Sequence, residues 1–258
     1  MTEESGAPAG ALLPFDLHGK VAIVTGAAGG IGSALCHRFA EAGARIALFD
    51  RNPAVIAAAE ALGTAHQGFV GDVTDEASII SQVEAVAAAF GQIDILVNNA
   101  GIGTLHPAEV KPTADFDLTI AVNLRAPFLY AREAARHMLA RGYGRVVTIA
   151  SQAAVIGIEG HVAYSASKAG LIGMTNCMAL EWGPRGVTAN CISPTVVETE
   201  MAKIGWAGEK GVRARAEIPT RRFAQPDEIA LAALYLASDA AAMVNGANLM
   251  VDGGYTIR

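Results

Sequence analysis

Charge is scarce in this sequence. Asp, Glu, Lys and Arg together make up 17% of 258 residues, for a formal net charge of −6. No basic run interleaves with aromatic residues, so the footprint of a nucleic-acid surface is missing. With hydrophobic residues at 52%, the composition excludes a disordered chain or a coiled coil. Cysteine is scarce too. Cys36, Cys177 and Cys191 lie far apart and form no C-x-x-C pair. Such a set excludes a disulfide framework and reads as reduced core thiols of a cytoplasmic protein. His106, His137 and the other histidines show no ligand spacing to Cys or acids, so no metal is expected. No uncharged apolar run approaches the roughly 20 residues that span a membrane. The opening "MTEESGAPAGALLPF" lacks the basic and apolar regions of a signal peptide. It is expected to be a flexible tail over residues 1–15, ahead of one domain over 16–258.

What the sequence does contain is alternation. "KVAIVTG", "RIALFD", "QGFVGDV", "IDILVNN", "GRVVTIAS", "VTANCIS" and "ANLMVDGG" are short, nearly continuous apolar runs. Parallel strands covered on both faces have that character. Longer helical patterns lie between them, as in "SALCHRFAEAG", "EASIISQVEAVAAAFG" and one long stretch over residues 116–142. Strand–helix alternation without a linker or repeat predicts a single α/β domain. The expected fold is a Rossmann-type doubly wound seven-stranded parallel sheet with helices on both faces. Residues 194–225 are the least regular and form a candidate substrate loop.

Glycines mark the first strand–helix junction. "TGAAGGIG" has the spacing G-x-x-x-G-x-G, with Gly26, Gly30 and Gly32. Glycines let a backbone approach a pyrophosphate, and a helix N-terminus offers free N–H groups to it. A tight turn alone would explain them equally well, but an acid, Asp50, closes "RIALFD" about 20 residues later. A carboxylate there accepts both ribose hydroxyls of NAD and repels the 2′-phosphate of NADP. Ala28 leaves the loop without Arg or Lys, which also favours NAD. Arg51 is the opposing signal, since a guanidinium pairs with phosphate.

The second feature is "YSASK". Tyr164 and Lys168 are four residues apart, hence on one face of a helix. An ammonium there is expected to lower the phenol pKa and ready it for proton transfer. An exposed Lys beside a half-buried Tyr is the plainer alternative for the pair in isolation.

The ordered set of "TGAAGGIG", "GDV", "NNAG", "AVNLRAPF", "TIAS", "YSASK", "ISP" and "DGG" resembles the short-chain dehydrogenase/reductase family over nearly the whole chain. Ser151 precedes Tyr164 by 13 residues, as is typical of the family. The resemblance implies a catalytic set of Asn123, Ser151, Tyr164 and Lys168. Tyr164 would be the acid/base, Ser151 the hydrogen-bond donor to the substrate oxygen, and Asn123 the holder of a relay water. It implies that NAD lies against Gly26, Ala28, Gly29, Gly30, Ile31, Gly32, Asp50 and Arg51. Further along, Asp72 and Val73 would hold the adenine. Asn99, Ala100 and Gly101, with Tyr164 and Lys168, would hold the ribose, and Val197 and Thr199 the carboxamide. One departure is Pro194-Thr195 where the family usually has Pro-Gly. Thr does not freely adopt positive φ, which puts the loop backbone in question.

For the substrate, Gln152, Glu159, His161 and Trp206, with Ser151 and Tyr164, are the candidate pocket residues. Their polarity suggests hydroxyl recognition rather than an apolar slot. "ISPTVVETEM", "IPTRRFAQPDEIA" and the C-terminal "MVNGANLMVDGGYTIR" resemble the small-polyol dehydrogenases of the family. That resemblance implies a vicinal diol or sugar alcohol oxidised to a hydroxyketone. D-threitol to D-erythrulose comes first, then glycerol or 1,2-propanediol. It also implies a homotetramer paired through long helices. The alternatives are a 3-oxoacyl-thioester reductase of the same family and a non-catalytic dinucleotide sensor.

Overall fold

A computed structural model describes residues 15–258. The expected tail therefore lies outside the described residues except for Phe15, whose ring packs edge-on against Tyr235 at 6.0 Å. All seven expected strands form: β1 (Val21–Thr25), β2 (Arg45–Asp50), β3 (Gln67–Val70), β4 (Ile95–Asn98), β5 (Gly144–Ile149), β6 (Val187–Pro194) and β7 (Asn248–Val251). They pair in parallel in the order β3-β2-β1-β4-β5-β6-β7. The order reverses between β1 and β4, which opens a crevice at the strands' C-terminal ends.

The helices are α1 (Gly30–Glu41), α2 (Ala54–Leu62), α3 (Glu76–Phe90), α4 (Thr113–Ile120), α5 (Ala126–Arg141), α6 (Val162–Trp182), α7 (Glu200–Gly205), α8 (Gly208–Glu217) and α9 (Pro226–Ala237). Alternate strand residues feed two cores. Ala22, Val24, Ile46 and Leu48 pack with Leu35 and Phe39 of α1 and Ile229 and Ala233 of α9. Val21, Ile23, Ala47 and Phe49 pack with Val83 of α3, Tyr130 and Met138 of α5 and Met178 of α6. That split follows from side chains pointing to opposite faces at successive strand positions. Each fully buried Leu or Phe contributes about 1.5–3 kcal/mol. Leu35 and Phe39 thereby fix α1, and with it the glycine loop at its N-terminus.

Three expectations are corrected. The stretch over residues 116–142 is not one regular helix: α4 and α5 join through a π-helical turn, Ala121–Arg125. Residues 194–225 are not irregular throughout, since α7 and α8 lie within them. Cys36 and Cys191 are buried, but Cys177 is exposed on α6 and is no core thiol. The question raised by Thr195 has a simple answer. Among the described residues Arg221 is the one non-glycine residue with positive φ, so the chain passes Thr195 without left-handed backbone.

Candidate active site

The glycine loop lies where the sheet order reverses. Gly26 has φ +66°, and a Cβ there would sit 2.9 Å from Ala100 Cα. A Cβ on Gly32 would sit 2.0 Å from the Gly26 carbonyl oxygen. Both positions require glycine. Gly29 caps α1 without a side chain, and no acid occupies the first turn. The N–H groups of that turn, around Ile31, and the positive end of the helix dipole therefore face the loop uncompensated. This is a cradle for a diphosphate, and the residues present fit a dinucleotide.

Asp50 closes β2 beside the cradle. One carboxylate oxygen accepts the Ala28 N–H and the other the Asn52 N–H, each at 2.9 Å. A carboxylate has about four lone-pair sites, so both oxygens retain capacity for ribose hydroxyls. Asp72 is exposed and accepts the Thr74 N–H and hydroxyl at 2.8 Å. The Thr74 backbone bond chiefly holds its carboxyl below the usual range, and the Arg51 charge adds to the effect. Val73 is half-buried against the α3–α5 core.

Asn99 does more than its expected backbone contact. Its amide donates to the Thr25 and Gly26 carbonyls at 3.0 and 3.1 Å. The Thr25 hydroxyl accepts the N–H groups of Asn99 and Ala100 at 3.0 and 3.1 Å. Thr25 and Asn99 thus tie the loops after β1 and β4 together across the crevice. Sequence reasoning assigned Thr25 no role, because it reads as the end of an apolar run.

The catalytic candidates converge at the ends of β4, β5 and the start of α6. Lys168 is 4% exposed and donates to the Ile149 carbonyl at 2.7 Å. Its Nζ lies 5.6 Å from the centre of the Tyr164 ring. Burial pulls its pKa down to about 8. Burial also raises the Tyr164 phenol pKa, opposed by a hydrogen bond with Ser151. Burial is the larger of the two influences, and Lys168 is not among them. Ser151 also accepts the Ala153 N–H at 3.1 Å.

Asn123 sits fully buried in the π-helical turn. Its carboxamide takes both the N–H and the C=O of Ile102 at 2.8 Å and donates to Ser167 at 3.2 Å. The side chain is therefore committed to protein partners. A Cβ on Gly101 would lie 3.5 Å from Asn123 Oδ1 and 3.6 Å from Lys168 Nζ, so these groups share one corner.

The substrate candidates separate. Gln152 and Trp206 line one cavity of about 240 Å³, together with Thr195, Phe223 and Arg213. Trp206 packs edge-on against Phe223 at 6.1 Å. His161 packs edge-on against Tyr164 at 6.0 Å, and its Nδ1 meets the Glu159 carbonyl at 2.7 Å. The Glu159 side chain is exposed and does not line the cavity. On the far side, Thr199 caps α7 through Ala202 N–H at 3.3 Å. Its methyl would lie 2.9 Å from a Cβ on Gly30, so the loop after β6 rests on the glycine cradle. Val197 is buried and bridges Ala224.

A phenol and an ammonium set beside a dinucleotide cradle define a nicotinamide-dependent alcohol oxidoreductase. A family model described as enoyl-(acyl carrier protein) reductase matches residues 26–256. D-threitol dehydrogenase of Mycolicibacterium smegmatis is 53% identical over 251 residues, covering 95% of each chain. NAD-dependent glycerol dehydrogenase of Listeria innocua is 43% identical over 95% of this chain and 96% of its own. The solved gluconate 5-dehydrogenase of Burkholderia cenocepacia, in complex with NADP and tartrate, superposes with a TM-score of 0.92. It is 35% identical and is matched over 96% of this chain and 100% of its own. The chain belongs to the short-chain dehydrogenase/reductase family.

Proposed function

We propose that this enzyme oxidises a small polyol to a hydroxyketone with NAD, D-threitol to D-erythrulose foremost and glycerol or 1,2-propanediol next. The observation that carries the reading is a cavity whose wall mixes polar residues, Gln152, Thr195, Arg213 and Tyr255, with Trp206 and Phe223, and whose Gln152 follows Ser151 in the chain. A cavity built to pair hydroxyls rejects analogues without them, because its polar groups then go unpaired. The likeness to a D-threitol and a glycerol dehydrogenase supports the same substrate class. Asp50 supports NAD, since its carboxylate already faces the glycine loop where a 2′-phosphate would meet an anion.

In this reading Tyr164 takes the proton of the substrate hydroxyl. Ser151 donates to the substrate oxygen and stabilises the charge that gathers there. Lys168, held by Ile149, keeps an ammonium beside the phenol. The carbonyl of Asn123 holds the water through which the proton leaves. When bound, the nicotinamide ring accepts the hydride. The working assembly is a homotetramer, and unpaired thiols are in keeping with the cytoplasm.

A sugar acid is the second reading, because Lys210 and Arg213 line the same cavity and offer cations to a carboxylate. One experiment covers these readings: NADH absorbance with D-threitol, glycerol, gluconate, a long secondary alcohol and a 3-hydroxyacyl thioester. D-threitol is expected to lead, with NAD at least about tenfold better than NADP in kcat/KM. Asp50→Ala should narrow that gap. Tyr164→Phe should lower kcat at least about 100-fold. Activity confined to gluconate or to the thioester would replace the polyol reading.

A further inference from the structure

β3 is an edge strand of the sheet, and the link from its end to α3 carries Asp72 and Val73. The peptide that joins Val70 to Gly71 is held on both sides. Its N–H donates to the Asp50 carbonyl of β2 at 3.0 Å. A trans peptide points its C=O the opposite way, so the Val70 carbonyl faces the open edge of the sheet. There the Gln82 carboxamide of α3 donates to it at 3.2 Å. A Cβ on Gly71 would lie 2.0 Å from Gln82 Nε2, so the carboxamide takes the space a side chain at 71 would occupy.

Gln82 is itself held. Its Oε1 accepts the Tyr130 hydroxyl of α5 at 3.2 Å. Tyr130 is 1% exposed, and its ring stacks on Phe49 of β2 at 5.7 Å. Phe69 of β3 packs edge-on against Phe49 at 4.9 Å. Burial chiefly raises the phenol pKa, and the charge of Asp72 adds to the effect, so Tyr130 stays a donor. Two hydrogen bonds therefore run from the aromatic core through Gln82 to the end of β3. Leu at 82 and Phe at 130 would fill the same volume with no polar group to satisfy. What the polar pair adds is a fixed Val70 carbonyl.

We infer that Gln82 is a positioning residue for the adenosine end of the cofactor. Held by Tyr130, it fixes the Val70–Gly71 peptide, and with it the places where Asp72 and Val73 meet the adenine and Asp50 meets the ribose. The inference rests on the cofactor reading of those three residues and goes beyond it by assigning what places them.

The test measures dissociation constants by calorimetry on the full chain without cofactor. The probes are ADP-ribose, which carries the adenosine end, and nicotinamide mononucleotide, which lacks it. Gln82→Leu should weaken ADP-ribose about tenfold and nicotinamide mononucleotide by less than about twofold. It also leaves the Tyr130 hydroxyl buried without a partner, so Tm should fall. The double variant Gln82→Leu/Tyr130→Phe removes both polar groups. Its Tm should recover most of that loss, while ADP-ribose stays about tenfold weaker. Affinity that recovers together with Tm would reduce Gln82 to packing and overturn the inference. Asp72→Ala separates the inference from the reading beneath it. Unchanged ADP-ribose binding in Asp72→Ala overturns both. Weaker binding there, with Gln82→Leu at the wild-type value, overturns the inference alone.

Discussion

Lys168 shows what this site costs the molecule. Its ammonium is buried with one carbonyl partner, and burial lowers its pKa from 10.5 to about 8. Below pH 8 both folded and unfolded chains carry the charge, and the fold bears the full desolvation penalty. Between about 8 and 10.5 the unfolded chain binds more protons, so stability rises with pH in that window. A shift of this size corresponds to roughly 3 kcal/mol. Lys168→Met should therefore raise Tm at pH 7 by a few degrees while abolishing turnover, and its advantage should fade as pH approaches 10. Thermal melts at pH 7 and 10 check this; a lower Tm at pH 7 would show that the Ile149 bond outweighs desolvation. Residues of this kind were legible in the sequence because their chemistry and spacing are unusual: the fold sets Lys168 near the Tyr164 ring and Asp50 against the glycine loop. Which way Glu159 faces was not legible, since closeness in sequence to Tyr164 says nothing of which way a turn presents a side chain; it is exposed. Thr25 was not given its contacts, because a bridging hydroxyl becomes visible only when neighbouring strands are in place.

At the scale of elements, the seven strands were legible because buried parallel strands are written as apolar runs. α7 and α8 were not. α8 reads "GEKGVRARAE", with one large apolar residue, Val212, and that one exposed. Such a helix has no core-facing stripe and owes its place to contacts such as Arg215 with Glu198 at 3.1 Å and Tyr255 with Glu217 at 3.2 Å. The π-helical turn was hidden for another reason: one extra residue in a turn does not disturb a 3.6-residue pattern enough to be seen. Its meaning is local. The Asn123 side chain pins both backbone groups of Ile102. Asn123→Ala removes these bonds and should lower Tm by several degrees. Thermal melts test it, and an unchanged Tm would show that the turn holds without them.

At the scale of the whole molecule, the surface carries a face that the fold itself does not cover. α6 buries Leu171, Thr175 and Met178 against the sheet. Its opposite side presents Val162, Ala166, Ala169, Gly173, Cys177 and Leu180, all exposed and spaced three or four residues apart. Leu180 is 79% exposed. Phe116 and Leu118 on α4 and Phe128 on α5 add further exposed apolar area. A helix face without charge over five turns is a poor match to water. Small residues at 166, 169 and 173 allow a second helix to approach closely. The proposed homotetramer places α4, α5 and α6 in contact with another copy, burying on the order of 800 Å² per partner at each such face. Light scattering at micromolar concentration should then report four copies. Gly173→Glu would put a carboxylate in the middle of the contact, with a side chain that meets nothing within its own chain, since a Cβ at Gly173 has no neighbour within 4 Å. It should split the assembly to dimers or monomers without loss of the monomer fold, as read by circular dichroism. A stable monomer of the unmutated chain would reject the assembly, and an intact tetramer in Gly173→Glu would move the interface off α6.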